Sequence, residues 1–155
     1  MRRRLIILAV LAGAVAAALV PTAVLGGTAG TTLTVKMTGG VEVPKGAPAG
    51  GGTAAISVSV TSVCWTFIGL TGIDKPTAAH IHKAPAGKSG PVVVPFGAAF
   101  TPSGCVSTTA AITKSILSSP GSYYVNVHTA KFPGGAVRGQ LGRNKSASST
   151  KGSGY

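Results

Sequence analysis

The chain has 155 residues, a formal net charge of +12, 23 glycines, 10 prolines and only two carboxylates, Glu42 and Asp74. A chain of this length builds one core and not two, and two carboxylates leave little material for paired acid–base catalysis. Its lysines are spread singly rather than in runs interleaved with aromatics, which argues against a nucleic-acid groove; the positive surface favours an anionic partner such as an acidic cell-wall polymer.

Residues 1–29 read as a secretory leader. Met1-Arg2-Arg3-Arg4 is a basic start, Leu5 to Val20 an apolar run, and Gly27 and Ala29 supply the small residues that cleavage requires. The competing reading, an uncleaved span, has only about 16 apolar residues against the roughly 20 that a bilayer needs. Cleavage after Ala29 leaves a secreted chain with no stable transmembrane anchor, and the loss of three arginines brings its formal charge to about +9. In an oxidising compartment the two cysteines, Cys64 and Cys105, are expected to form one disulfide closing a loop of about 40 residues, worth ~3–4 kcal/mol. The rival use of both thiolates as metal ligands lacks the close pairing of cysteines usual in such sites.

The mature part, 30–143, reads as short strands separated by Gly/Pro turns. Thr31 to Met37 alternates, and Gly39 to Gly52 is a loop because Pro44 and Pro48 cannot sit in a central strand. Ala54 to Val60 and Val63 to Leu70 form a predicted hairpin, with Trp65 as core or rim packing. Thr77 to Lys83 and Pro91 to Phe96 are the next strands; Gly97 to Thr109 reads as loop, and Ala110 to Leu117 as one short helical turn. Tyr123 to Thr129 and Ala136 to Leu141 close the series. Residues 144–155 hold too little apolar material to fold and are expected to be a disordered basic tail. The pattern predicts an all-β, antiparallel sandwich or flattened barrel.

The histidines then become informative, because strand side chains alternate between faces. With Ile81 in the core, His80 and His82 share the outer face; with Val125 and Val127 in the core, Tyr124, Asn126 and His128 face outward, as do Arg138 and Gln140. If these strands pair, the three histidines and Arg138 share one exterior patch. Histidines at i and i+2 place their Cβ atoms about 6.5–7 Å apart, within reach of one ion. Three imidazoles suit zinc or copper, with a fourth ligand from water or the backbone because no carboxylate is close in sequence. The plainer reading makes the histidines hydrogen-bond loop carbonyls and pin residues 85–90 to the sheet.

Five blocks in order carry a family resemblance. They are Val41-Glu42-Val43-Pro44, Ala78-Ala79-His80-Ile81-His82, Gly90-Pro91-Val92-Val93-Val94, Tyr124-Val125-Asn126-Val127-His128-Thr129 and Pro133 to Leu141. Together they resemble the CHRD domain, a module repeated in the animal protein chordin and found alone in many bacterial secreted proteins. Lys45 and Ala136 depart from the family pattern, the latter removing a carboxylate beside Arg138. The resemblance implies an immunoglobulin-like β-sandwich and no catalytic residues. His80 and His82 are also locally similar to a copper-ligand pair of Cu/Zn superoxide dismutase; the bridging histidine and zinc aspartate of that family have no counterpart, since Asp74 precedes the pair.

The expectation is therefore a secreted, non-enzymatic CHRD module at the cell envelope, with an unidentified protein or an anionic wall polymer as partner. The alternative is a copper- or zinc-binding protein using His80, His82 and His128, with Asn126, Arg138 and Glu42 supporting the site.

Overall fold

In a computed structural model the described residues are 30–142; the predicted leader and basic tail lie outside them. The elements are β1 (Thr31–Thr38), β2 (Gly51–Val58), β3 (Ser62–Thr71), β4 (Pro76–Lys83), β5 (Val92–Pro95), β6 (Ser103–Ser107), α1 (Ala110–Ser118), β7 (Tyr123–Thr129) and β8 (Val137–Gln140), with short 3-10 turns at Gly39–Val41 and Pro120–Ser122.

The eight strands form one antiparallel sheet in the order β5-β4-β7-β8-β1-β2-β3-β6. Its midpoint is narrow: β1 and β8 are registered through the single pair Thr38↔Arg138. The sheet thus divides into two four-stranded halves that fold over one another. Trp65 of β3 stacks on Phe96, just after β5, with ring centroids 4.3 Å apart and planes 2° from parallel. Those strands stand near opposite ends of the strand order, so the contact requires the sheet to close on itself. The predicted single-domain antiparallel fold is present, as a sandwich rolled from one continuous sheet.

Alternation explains the core. Leu33, Val35 and Met37 in β1, Ala54, Ile56 and Val58 in β2, and Ala79 and Ile81 in β4 point inward and are buried with Val63, Trp65 and Phe67 of β3. Each Val, Leu, Ile or Met among them contributes on the order of 1.5–3 kcal/mol by leaving water, and the alanines less. The predicted hairpin is β2–β3, registered from Val58↔Val63 to Thr53↔Ile68.

Two segments differ from expectation. The stretch read as loop contains β6, an edge strand paired with β3. Its Ser-Gly-Cys-Val-Ser sequence offers no apolar face to reveal it; its regularity comes from the backbone ladder of its neighbour. Gly104 is fixed there because a Cβ at this position would press into the Trp65 ring. The helical turn is longer than expected, running nine residues over Ala110–Ser118. Thr109 caps it by accepting from the Ile112 amide at 3.3 Å, and the Thr113 hydroxyl ties it to the Val60 carbonyl at 2.6 Å.

Cys64 and Cys105 lie directly opposite in the β3–β6 ladder and are disulfide-bonded. No helix among the described residues is long and apolar enough to cross a membrane.

Candidate functional site

The register of three adjacent strands builds the site. His80 is opposite Asn126 and Asn126 opposite Arg138; one step along, His82 is opposite Tyr124 and Tyr124 opposite Gln140. Directly opposed residues share a face, so both rows project from the side away from the core. His128 joins them two residues beyond Asn126 on β7.

The predicted gathering of the three imidazoles is present. His80 Nδ1 lies 3.2 Å from His128 Nε2, and one ring nitrogen from each histidine falls within 4.8 Å of the others. The predicted exposure is not. All seven residues of β7 are buried, as are His82, His128 and Arg138, while His80 is half-buried. This face carries a roof of three loops that alternation could not foresee.

The roof is held by the same polar side chains. Arg138 donates to the carbonyls of Lys88 at 2.7 Å and Pro85 at 3.1 Å, and to Gln140 Oε1 at 3.1 Å. Gln140 donates to the Ala84 carbonyl at 2.8 Å. Ala47 donates its amide to the Ala136 carbonyl at 2.9 Å, and Ser89 Oγ to the Val43 carbonyl at 2.7 Å. Beneath the roof Tyr124 is sandwiched: the His82 ring stacks on it at 4.7 Å, and the Arg138 guanidinium carbon lies 3.3 Å from its centroid. Sequence reasoning placed Tyr124 on this face without giving it that part.

Hydrogen bonds fix two tautomers. A carbonyl oxygen can only accept, so His82 Nδ1 donates to Gly90 O at 2.9 Å and His128 Nδ1 to Pro133 O at 2.9 Å. In the neutral rings both Nε2 atoms are therefore lone pairs. His82 Nε2 is buried with no hydrogen-bond partner. Carbonyl anchoring of the distal ring nitrogen is the arrangement that orients metal-binding histidines, so loop pinning and ligand orientation are served by the same bonds.

Burial favours the uncharged form of His80 and His82. Burial, followed by the proximity of His128 and His82, lowers the His80 pKa to about 4. Burial also lowers that of His82, opposed by the Gly90 carbonyl and, more weakly, by Asn126 and Glu42. Neutral imidazole is the form that binds metal.

Glu42 comes closer than its sequence position indicated. It is buried, its Oε1 accepts from the Val43 amide at 3.1 Å, and its Oε2 accepts from Asn126 Nδ2 at 3.4 Å. The opposite end of the same amide, Asn126 Oδ1, lies 3.0 Å from His128 Nε2. A separate apolar groove between β2 and α1, lined by Val58, Val60, Ala110 and Leu117, contains none of these groups.

Fold and site together define a single-domain, disulfide-stapled β-sandwich with a roofed three-histidine cluster on one half of its sheet. The CHRD domain model matches residues 33–141, and the chain belongs to that family. A search of curated proteins and a search of solved structures each returned no match.

Proposed function

We propose that this chain is a non-enzymatic CHRD module working outside the cytoplasm, at the cell envelope, and that its histidine cluster binds one zinc or copper ion. The family and the Cys64–Cys105 disulfide support an oxidising, extracytoplasmic setting. The metal reading is carried by His82 Nε2, a buried lone pair aimed among two other imidazoles with nothing to accept from. Leaving such an atom unpaired costs about 1–3 kcal/mol, and a cation at the centre of the three rings removes that penalty. Nitrogen donors without a thiolate suit zinc and copper rather than calcium or magnesium.

Elemental analysis of protein secreted by its producing cell and purified without a polyhistidine tag tests this. The expected result is close to one zinc or copper per chain, lost in His82→Ala. Protein free of both metals as isolated, and unable to take either up, contradicts it.

The partner is proposed to be an anionic wall polymer. All seven lysines between Lys36 and Lys131 are exposed, so wall binding should weaken steeply as salt rises through physiological ionic strength, where the Debye length is ~8 Å. Binding indifferent to salt excludes this partner.

A further inference from the structure

We infer that Asn126 supplies the fourth ligand of the metal centre through its side-chain oxygen, and that Glu42 is the residue that turns this oxygen inward. The inference rests on the three-histidine reading and extends it from an open site to a closed one.

Asn126 is fully buried, on the strand position opposite His80 and two residues before His128. An amide can present either end to a neighbour, and its orientation is decided by what it meets. Here the Glu42 carboxylate, which can only accept, takes the NH2 end at 3.4 Å. That leaves Oδ1 facing the imidazoles, 3.0 Å from His128 Nε2. With both Nδ1 atoms committed to carbonyls, the centre receives lone pairs from His82 Nε2, His128 Nε2 and Asn126 Oδ1. At most one hydrogen, on His80 Nδ1, is available to separate them when the rings are neutral. Convergence of acceptors of this kind is unfavourable around an empty centre and favourable around a cation.

The spacings agree. Zinc bound tetrahedrally at 2.0–2.1 Å sets its ligand atoms roughly 3.3–3.4 Å apart. The observed His80 Nδ1–His128 Nε2 and Asn126 Oδ1–His128 Nε2 separations are 3.2 and 3.0 Å. The widest histidine spacing, 4.8 Å, is too long for one shell, so loading draws at least one ring inward by about 1 Å. The charge balance agrees as well: the buried Glu42 carboxylate lies one amide away from the centre, and through Asn126 it offsets part of a divalent ion's charge. A filled N3O shell leaves no place for substrate or activated water, in keeping with a module that holds a metal without turning over.

The test substitutes cobalt(II) for the native ion in the mature chain and follows its visible spectrum while azide is added. A closed tetrahedral shell gives a spectrum that azide does not change. In Asn126→Ala the shell opens, so azide should alter the spectrum and metal affinity should fall at least tenfold. Glu42→Gln, which keeps the shape and frees the amide to turn, should also become azide-sensitive. That variant supplies the comparison should Asn126→Ala not fold. A wild-type spectrum that responds to azide, or a Glu42→Gln spectrum as indifferent as the wild type, overturns the inference. A chain that takes up no cobalt sinks both this inference and the three-histidine reading beneath it.

Discussion

His80 Nδ1 and His128 Nε2 meet at 3.2 Å across β4 and β7, although the two residues are 48 positions apart. They are not directly opposed: His80 pairs with Asn126 and His128 with Ala78, so the rings reach diagonally over one face. Burial of His80 and, after it, the nearness of the other imidazoles disfavour charge on this ring, and that shapes the pH behaviour of the metal-free protein.

An unfolded histidine titrates near 6.5, whereas folded His80 is held at about 4 by burial and its histidine neighbours, and His82 is shifted the same way. Between those values the unfolded chain binds more protons than the folded one. Stability therefore rises with pH from about 4 to about 6.5 and levels off above it. Denaturant melts of metal-free protein from pH 4 to 7.5 should show this slope, and His80→Asn should reduce it, leaving the part due to His82. A wild-type profile flat across the window contradicts the assignment.

Arg138 holds the roof with two hydrogen bonds donated to its carbonyls, gives a third to Gln140 on its own strand, and lies over Tyr124. Lysine keeps the charge but loses the planar fork. Arg138→Lys should therefore raise amide hydrogen exchange in residues 84–90 at least tenfold while β1–β3 keep their protection. Uniform exchange changes, or none, would show that the guanidinium does not tether that loop.

Removing the disulfide tests the edge of the other sheet half. Cys64 and Cys105 are separated by 41 residues, so replacing both by alanine should lower stability by ~3–4 kcal/mol on the chain-entropy model. Because they lie in β3 and β6, away from the histidines, metal affinity should stay within about twofold. A large loss of affinity would mean that the shared core couples the β3–β6 edge to the histidine face.

Much of this molecule was legible in the sequence because alternation is a two-state code. Ile81 and Val127 in the core force His80, His82 and His128 to the other side, and the five family blocks fix the strands that carry them. Alternation says which side a residue leaves, however, and not what lies over it. Of the roof, only the pinning of residues 85–90 by histidine is legible in the sequence, and it is present as the His82 bond to the Gly90 carbonyl; the other contacts are long-range, Arg138 to the Lys88 carbonyl spanning 50 residues and the side-chain contact of Glu42 with Asn126 spanning 84. Glu42 reads from the sequence as a residue supporting the site, but its contact with Asn126 is not legible there, since distance along the chain is the only distance a sequence offers. β6 escaped notice because Ser103–Ser107 has no apolar alternation, and its partner strand supplies the order that its own sequence lacks.

The central claim is that three converging imidazoles form one metal site, and its most direct measurement is a competition titration of the metal-free mature chain with zinc and with copper(II), wild type beside His82→Ala. The account predicts one ion per chain at a dissociation constant below ~1 μM for the wild type, weakened tenfold or more by the substitution. Binding no tighter than about millimolar, or equal binding by the two proteins, would contradict it.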